Sequence, residues 1–167
     1  MKRTILMGML ALLPFFSQAQ MRFGYISMTH ALEAMPGYLE SRQQLDRLRD
    51  QYEAELNRAQ NEFNTKYEEF LEEQKGLAPN ILQKRQMELQ ELIDKNVAFR
   101  NEAQRLLKQA REDALQPLND KLKAAITAIS RERGYAFVLN TDSDACPYID
   151  TSLGEDITNL VQQYTER

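Results

Sequence analysis

Few residues of this chain could do covalent or metal chemistry. Its 167 residues include one histidine, His30, and one cysteine, Cys146. These counts exclude a zinc motif with two histidines, a Cys-x-x-Cys redox pair and a disulfide within the chain. None of the six glycines forms a Gly-x-Gly-x-x-Gly or Walker loop, which the phosphate-binding enzymes need. We therefore predict that the protein is not an enzyme and uses no cofactor and no metal.

The remaining candidates for chemistry have structural interpretations. Asp142 and Asp144, with Asp150 beyond them, have acidic spacing like that of a calcium loop. The glycine and closing glutamate of that motif are missing, so we interpret the segment as a turn. His30 stands at the start of a short predicted helix and has no evident partner. In an oxidising compartment, Cys146 is either buried against a sheet or able to cross-link two chains.

The N-terminus has the three regions of a secretory signal peptide. Lys2 and Arg3 form a basic start, an apolar run follows from Ile5 to Phe16, and Ser17-Gln18-Ala19 is a cleavage site of small residues. The apolar run is too short for a membrane span, which needs about 20 residues. We predict that residues 1–19 are removed and that the mature protein is soluble and lies outside the cytoplasm.

The charge balance is acidic. The chain has 21 Lys and Arg against 25 Asp and Glu, and losing Lys2 and Arg3 takes its formal net charge from −4 to −6. An acidic chain is unsuited to binding nucleic acid through a basic surface. Lys84 and Arg85 are the only adjacent basic pair between Tyr38 and Leu118. We do not interpret them as a lipid site. The protein is predicted not to be membrane-integral, although transient contact with a membrane surface stays open.

The positions of glycine and proline predict two long helices. Neither residue occurs from Tyr38 to Lys75 or from Asn80 to Gln116, and both stretches are rich in strong helix formers. Each helix would be roughly 55 Å long. The link between them, residues 76–80, is short, which makes the helices antiparallel neighbours. Asn80 is the predicted N-cap of the second helix.

Apolar residues repeat along both helices at steps of three, four and four. This 11-residue period predicts a straight or weakly right-handed coiled coil. Several seam positions carry alanine, glutamine or asparagine, so the packing should be weak. The seam positions are Leu45, Leu48, Tyr52, Leu56, Ala59, Phe63, Tyr67, Phe70 and Gln74 in the first helix, and Leu92, Asn96, Phe99, Ala103, Leu107, Ala110, Ala114 and Leu118 in the second.

The rest of the chain predicts a small β-rich body. Strands are predicted at residues 23–27 and 135–139, the second one buried, with a third edge strand at Tyr148-Ile149-Asp150. A capping box at Ser152 to Glu155 is predicted to open a final helix. The second long helix continues past Pro117, where it is predicted to kink, and ends at Gly134. A body of this size is marginal alone, so we expect it to associate with other copies.

The order of these segments resembles a known family. Its signature here is Met35-Pro36-Gly37-Tyr38, a long hairpin, Pro117 to Ile126, the strand of Arg133 to Leu139, and a terminal Asp156-Ile157-Thr158. The chain resembles the OmpH/Skp family of periplasmic chaperones over essentially the whole mature sequence. Because many coiled coils share the composition of the hairpin, the combination of these motifs carries the resemblance.

The resemblance implies an architecture and an activity. The fold class is α+β, mainly α, with a trimerisation body at residues 20–37 and 118–167. A coiled-coil hairpin arm spans residues 38–117, with its tip near 76–80. The implied function is that of an ATP-independent holdase in the periplasm, a homotrimer that keeps unfolded outer-membrane β-barrel proteins soluble in a cavity between its arms.

The bulky hairpin side chains have two interpretations. They could contact client proteins, or they could be seam residues that hold the two helices together. The alternative function is a structural coiled-coil spacer or adaptor that binds one folded partner. A spacer would need a regular, well-packed seam, which the alanines and amides disfavour. The candidate contact or seam residues are Tyr52, Phe63, Tyr67, Phe70, Met87 and Phe99, and Pro117 is the candidate kink at the hairpin root.

Overall fold

The computed structural model describes residues 21–143 and 145–166. The predicted signal peptide therefore lies outside the described residues. The chain divides into two compact units. The sheet unit comprises the described parts of Met1–Met35 and Lys121–Arg167, and the helical unit is Pro36–Asp120.

Helices dominate the chain, which agrees with the predicted α+β, mainly α class. In chain order the elements are strand β1 (Phe23–Ile26), helix α1 (Met28–Glu33), helix α2 (Tyr38–Glu73), a 3₁₀ turn (Gln74–Gly76), helix α3 (Pro79–Arg133), strands β2 (Val138–Asn140) and β3 (Gly154–Asp156), and helix α4 (Thr158–Thr165).

The two long helices begin and end at residues suited to those positions. Gly37 precedes α2 with φ of 85°, which glycine adopts without strain. Helix α3 begins at Pro79, and the Leu82 backbone N–H donates to the Ala78 carbonyl at 2.9 Å. The predicted N-cap at Asn80 was therefore wrong, because proline already has the φ of a first helical residue and no N–H to satisfy.

The predicted end of α3 at Gly134 is confirmed. Gly134 has φ of 69°, and the Tyr135 backbone N–H donates to the Ser130 carbonyl at 3.0 Å. This bond and the left-handed glycine form the Schellman motif that closes many helices. Pro117 lies inside α3, and the helix is continuous through it. The kink predicted at Pro117 stays a prediction.

The three strands form one parallel sheet in the order β2-β1-β3. Gly24 in the central strand pairs with Val138 on one side and Glu155 on the other. The first predicted strand is confirmed, although it ends at Ile26. The second is confirmed only in part, since β2 is Val138–Asn140 and residues 135–137 precede it. The prediction that the second strand is buried was wrong, since β2 is an edge strand and its apolar residues are half-buried.

The predicted third strand at residues 148–150 was wrong, because Asp150 begins a turn. Its carboxylate accepts hydrogen bonds from the Ser152 backbone N–H at 2.9 Å and from the Ser152 hydroxyl at 2.6 Å. The strand forms instead at Gly154–Asp156. The predicted capping box at Ser152 was also wrong, since the Asp156 carboxylate accepts from the Thr158 N–H at 2.9 Å and α4 begins there.

The core of the sheet unit lies between one face of the sheet and the helices. Ile26, Leu122, Ile157 and Val161 are at most 1% exposed. They come from β1, α3, the residue before α4 and α4 itself, so the core is built from residues distant in sequence. Ala31, Met35, Ala125 and Ile129 complete this core.

Candidate functional site

Burial along α2 and α3 follows the predicted 11-residue period. Seam residues of both helices are buried or half-buried, with Tyr67 the exception at 44% exposed. Ala103 is 1% exposed, and it is the only hydrophobic side chain of the helical unit that is fully buried among the described residues. A stripe of half-buried residues forms because two helices alone cannot enclose a side chain on every side.

The contacts between α2 and α3 pair their residues in antiparallel order. The rings of Tyr52 and Phe99 lie 6.1 Å apart between centroids. The Asn96 side-chain amide donates to the Ala59 carbonyl at 3.2 Å, so a polar seam residue reaches the opposite backbone. Nearer the link, Phe70 and Leu89 line the same cavity of about 190 Å³.

The six candidate side chains divide into packed and exposed residues. Tyr52 and Phe99 contact each other across the two helices, and Phe70 is half-buried beside the link. Phe63 is half-buried and stacks on Tyr67, with ring centroids 5.8 Å apart and planes 11° apart. Exposed surface is largest at Met87, at 65%. Tyr67 and Met87 are therefore the candidates most accessible to another molecule.

Exposed aliphatic residues extend this surface, and the sequence reasoning missed them. Leu71, Ile93 and Val97 are 44%, 39% and 52% exposed. Each one directly follows a seam residue in the sequence, so it lies on the shoulder of the helix pair. These positions lie beside the 11-residue period rather than on it. Phe63, Ile93 and Val97 line one shallow cavity of about 190 Å³ together with Gln60, Asn96 and Arg100.

Charges on the helical unit form local pairs. Arg85 contacts Glu88 at 2.9 Å and Lys84 contacts the same carboxylate at 3.7 Å. Hydrogen bonding to Arg85 lowers the pKa of Glu88. The adjacent basic pair near the link is thus neutralised in part by its own helix.

The sheet unit contains a polar cluster that the sequence reasoning missed. The Tyr135 hydroxyl donates to the Glu155 carboxylate, which also contacts Arg22 at 3.4 Å and Arg133 at 3.6 Å. Burial, followed by the hydrogen bond to Glu155, raises the pKa of Tyr135 to about 12. The cluster links residues next to β1, at the end of α3 and in β3. Because these segments are far apart in the chain, a local sequence pattern could not predict their contact.

The Asp142 carboxylate binds the N-terminal end of α1. Its carboxylate accepts from the Ser27 hydroxyl at 2.6 Å and from the Thr29 backbone N–H at 2.7 Å. The Ser27 hydrogen bond is the main cause of a lowered Asp142 pKa. The interpretation of this segment as a turn agrees with these bonds, although Asp144 lies outside the described residues. Within residues 21–143 and 145–166, no three potential ligand residues are grouped to hold a metal.

Cys146 is half-buried, and its thiol donates to the Tyr148 carbonyl at 3.4 Å. Burial of Cys146 against the sheet and cross-linking of two chains both stay predictions.

One face of the sheet is apolar and incompletely covered. Phe23 and Tyr25 of β1 lie on this face and are half-buried. Gly24 and Ile26 alternate with them on the opposite face and are buried. The Phe23 ring stacks on Phe137, with centroids 5.4 Å apart, and Phe137 is 44% exposed. Stacked aromatic rings at a surface of this kind are common where protein chains associate.

No helix within the described residues is both long enough and apolar enough to cross a membrane.

Comparison with known proteins adds a family and a fold. The family model described as "Outer membrane protein (OmpH-like)" matches residues 22–164. Among solved structures, the fold is similar to that of a protein from Caulobacter crescentus CB15 described as an outer membrane chaperone (OmpH-like), with a TM-score of 0.65 and 15% identity. The match covers 90% of this chain and 86% of that chain. No curated protein matches the sequence.

Proposed function

Because this chain belongs to the OmpH-like family of outer membrane proteins, we propose that it is a chaperone rather than an enzyme. In this proposal it is an ATP-independent holdase of the periplasm that prevents unfolded outer-membrane β-barrel proteins from aggregating. The observation that carries the proposal is the surface of the helical unit, where exposed apolar side chains are spread over both helices.

Such a surface suits a client without a fixed shape. An unfolded chain offers dispersed apolar segments, so a holdase needs many weak contacts rather than one deep pocket. Tyr67, Leu71, Met87 and Val97 provide exposed apolar contacts along α2 and α3. Met87 is unbranched and adapts its shape to different partners. Contacts of this kind hold a client by their number and release it without ATP.

The proposal includes a homotrimer with coiled-coil hairpin arms around a central cavity. The half-exposed face of the sheet, with Phe23 stacked on Phe137, supports association through the sheet unit. The antiparallel contacts Tyr52–Phe99 and Asn96–Ala59 support the hairpin. The trimer number comes from the resemblance to the family. Export by a cleaved signal peptide would deliver the chain to the periplasm.

Light scattering tests the proposal directly. A urea-unfolded outer-membrane β-barrel protein is diluted into buffer with and without the purified mature chain, beginning at Gln20, and without ATP. We expect suppression of aggregation near one oligomer per client. If the folded oligomer leaves aggregation unchanged, the holdase proposal fails and the spacer or adaptor function is favoured. A folded protein of similar charge added at equal mass controls for crowding.

A further inference from the structure

Five side chains of the helical unit form one apolar surface, which we call the ridge patch: Phe63, Tyr67, Leu71, Ile93 and Val97. Phe63 stacks on Tyr67 and lines a cavity with Ile93 and Val97, so α2 and α3 both contribute. Leu71 follows Tyr67 by one helical turn and is 44% exposed. All five lie in the helical unit.

The spacing within the ridge patch fits an extended peptide. Residues four apart on a helix are displaced by about 6 Å along its axis. Side chains on one face of a β-strand are about 6.6 Å apart. The three ridge residues of α2 therefore span about 12 Å, against about 13 Å for three alternate residues of a strand. Side-chain flexibility absorbs a difference of about 1 Å over that length.

The polar rim of the patch offers hydrogen bonds to a peptide backbone. The Gln60 amide donates to the Asn64 side-chain oxygen at 3.0 Å, and the Asn96 amide donates to the Ala59 carbonyl at 3.2 Å. The Gln60 and Asn96 oxygens and both Asn64 amide hydrogens stay outside these two bonds. Uncharged donors and acceptors can bond a backbone N–H or C=O whatever its sequence.

The spacing and the amide rim favour one of two conformations of a client segment, helical or extended. A helical segment has already satisfied its backbone groups internally, so the amide rim gives it nothing further. An extended segment has unpaired N–H and C=O groups and presents apolar side chains at every second residue. That alternation is the pattern of a β-barrel strand, one face of which meets lipid.

We propose that the ridge patch binds extended client segments whose apolar residues alternate, and that it is the selective contact surface of the arm. The proposal rests on the proposed holdase function and names the class of segment it recognises. Tyr67 and Val97 provide the central contacts, one from each helix, and the amide rim holds the backbone of the client between them.

Two synthetic peptides of identical composition test this selectivity on the full mature chain. One peptide alternates leucine with threonine, and the other places its leucines at helical spacing. Both carry a fluorophore, and binding is followed by anisotropy. We expect the alternating peptide to bind at least about fivefold more tightly. Equal binding, or tighter binding of the helical peptide, overturns the inference.

The double variant Tyr67→Ser/Val97→Ser locates the contact. We expect it to weaken binding of the alternating peptide about tenfold. The double variant Leu39→Ser/Ile81→Ser is the matched control, because it removes two apolar side chains of the helical unit that are 66% and 43% exposed but lie outside the ridge patch. Equal losses in both variants overturn the inference. If circular dichroism shows that the double variant is misfolded, Leu71→Ser/Ile93→Ser makes the same test at two other exposed positions.

Aggregation assays on the same proteins separate this inference from the proposed function. If the wild-type chain suppresses aggregation but binds both peptides equally, the holdase function stands and the ridge-patch inference fails. If the wild-type chain does not suppress aggregation, the holdase function itself fails. A changed oligomer mass in the double variant, measured by light scattering, would show that the patch joins copies of the chain, which also overturns the inference.

Discussion

The two units of this protein are stabilised in different ways. Every fully buried hydrophobic side chain among the described residues lies in the sheet unit, except Ala103. No residue of α2 is buried, although the helix has 36 residues. The sheet unit therefore depends on a core of long-range contacts, whereas the helical unit depends on backbone hydrogen bonds and a half-buried seam.

The contrast between the two units explains how one chain can combine a rigid part with an adaptable one. Local opening requires little free energy where few apolar contacts are broken, so the helical unit should fluctuate more readily than the sheet unit. In the proposed holdase, the same half-burial leaves apolar side chains available to a client. Substitutions in the sheet unit should therefore act on stability, and substitutions on the surface of the helical unit should act on binding.

The largest expected effect compares one substitution at two positions of α3. Leu122 is 0% exposed in the sheet unit, whereas Leu107 is half-buried in the helical unit. Leu122→Ala should lower the free energy of unfolding by about 3 kcal/mol, because it leaves a cavity in the core. Leu107→Ala should cost about 1 kcal/mol, because solvent already reaches that site.

Urea denaturation followed by circular dichroism measures both values, at one protein concentration because association shifts apparent stability. Equal costs for Leu122→Ala and Leu107→Ala would contradict the division into a core-stabilised and a seam-stabilised unit.

A smaller effect is expected where a glycine permits close packing. A Cβ on Gly154 would lie 2.5 Å from Cε2 of the Phe23 ring, which cannot move freely because it stacks on Phe137. Gly154→Ala should therefore cost about 2 kcal/mol. Gly76→Ala is the matched control in the helical unit, since nothing lies within 4 Å of its added Cβ. Thermal unfolding of the two variants makes the comparison, and a neutral Gly154→Ala would mean that the strand can shift.

Most of the fold could be predicted from the sequence because it depends on local pattern. The long gaps without glycine or proline predicted α2 and α3, and Gly134 predicted the end of α3 through its left-handed φ. The third strand could not be predicted in the same way. Its position depends on the Phe23 ring and on the turn that begins at Asp150, which are 127 residues apart in the chain.

The candidate site was predictable only in part. The 11-residue period predicted which aromatic residues face the seam, but it could not assign exposure at its edge, where Tyr67 is accessible. The aliphatic residues Ile93 and Val97 were missed because they lie just off the period. The Tyr135–Glu155 cluster was missed for another reason, since tertiary pairing of single polar residues leaves no periodic signal.

The smallest expected effect concerns the pH dependence of the sheet unit. Tyr135 has a pKa of about 12 in the folded chain, above its usual value of 10.0. A raised pKa of this kind stabilises the fold fully below pH about 10, and that contribution is lost as the pH rises through about 12. We expect the contribution to be about 1 kcal/mol, because the ring is partly solvated and screened.

Tyr135→Phe tests this through the difference in unfolding free energy between variant and wild type. That difference should be largest near neutral pH and shrink as the pH rises through about 12. Glu155→Gln should keep part of the dependence, because burial of the ring is its first cause and remains. A difference that does not change with pH would show that the Tyr135 hydroxyl contributes packing alone.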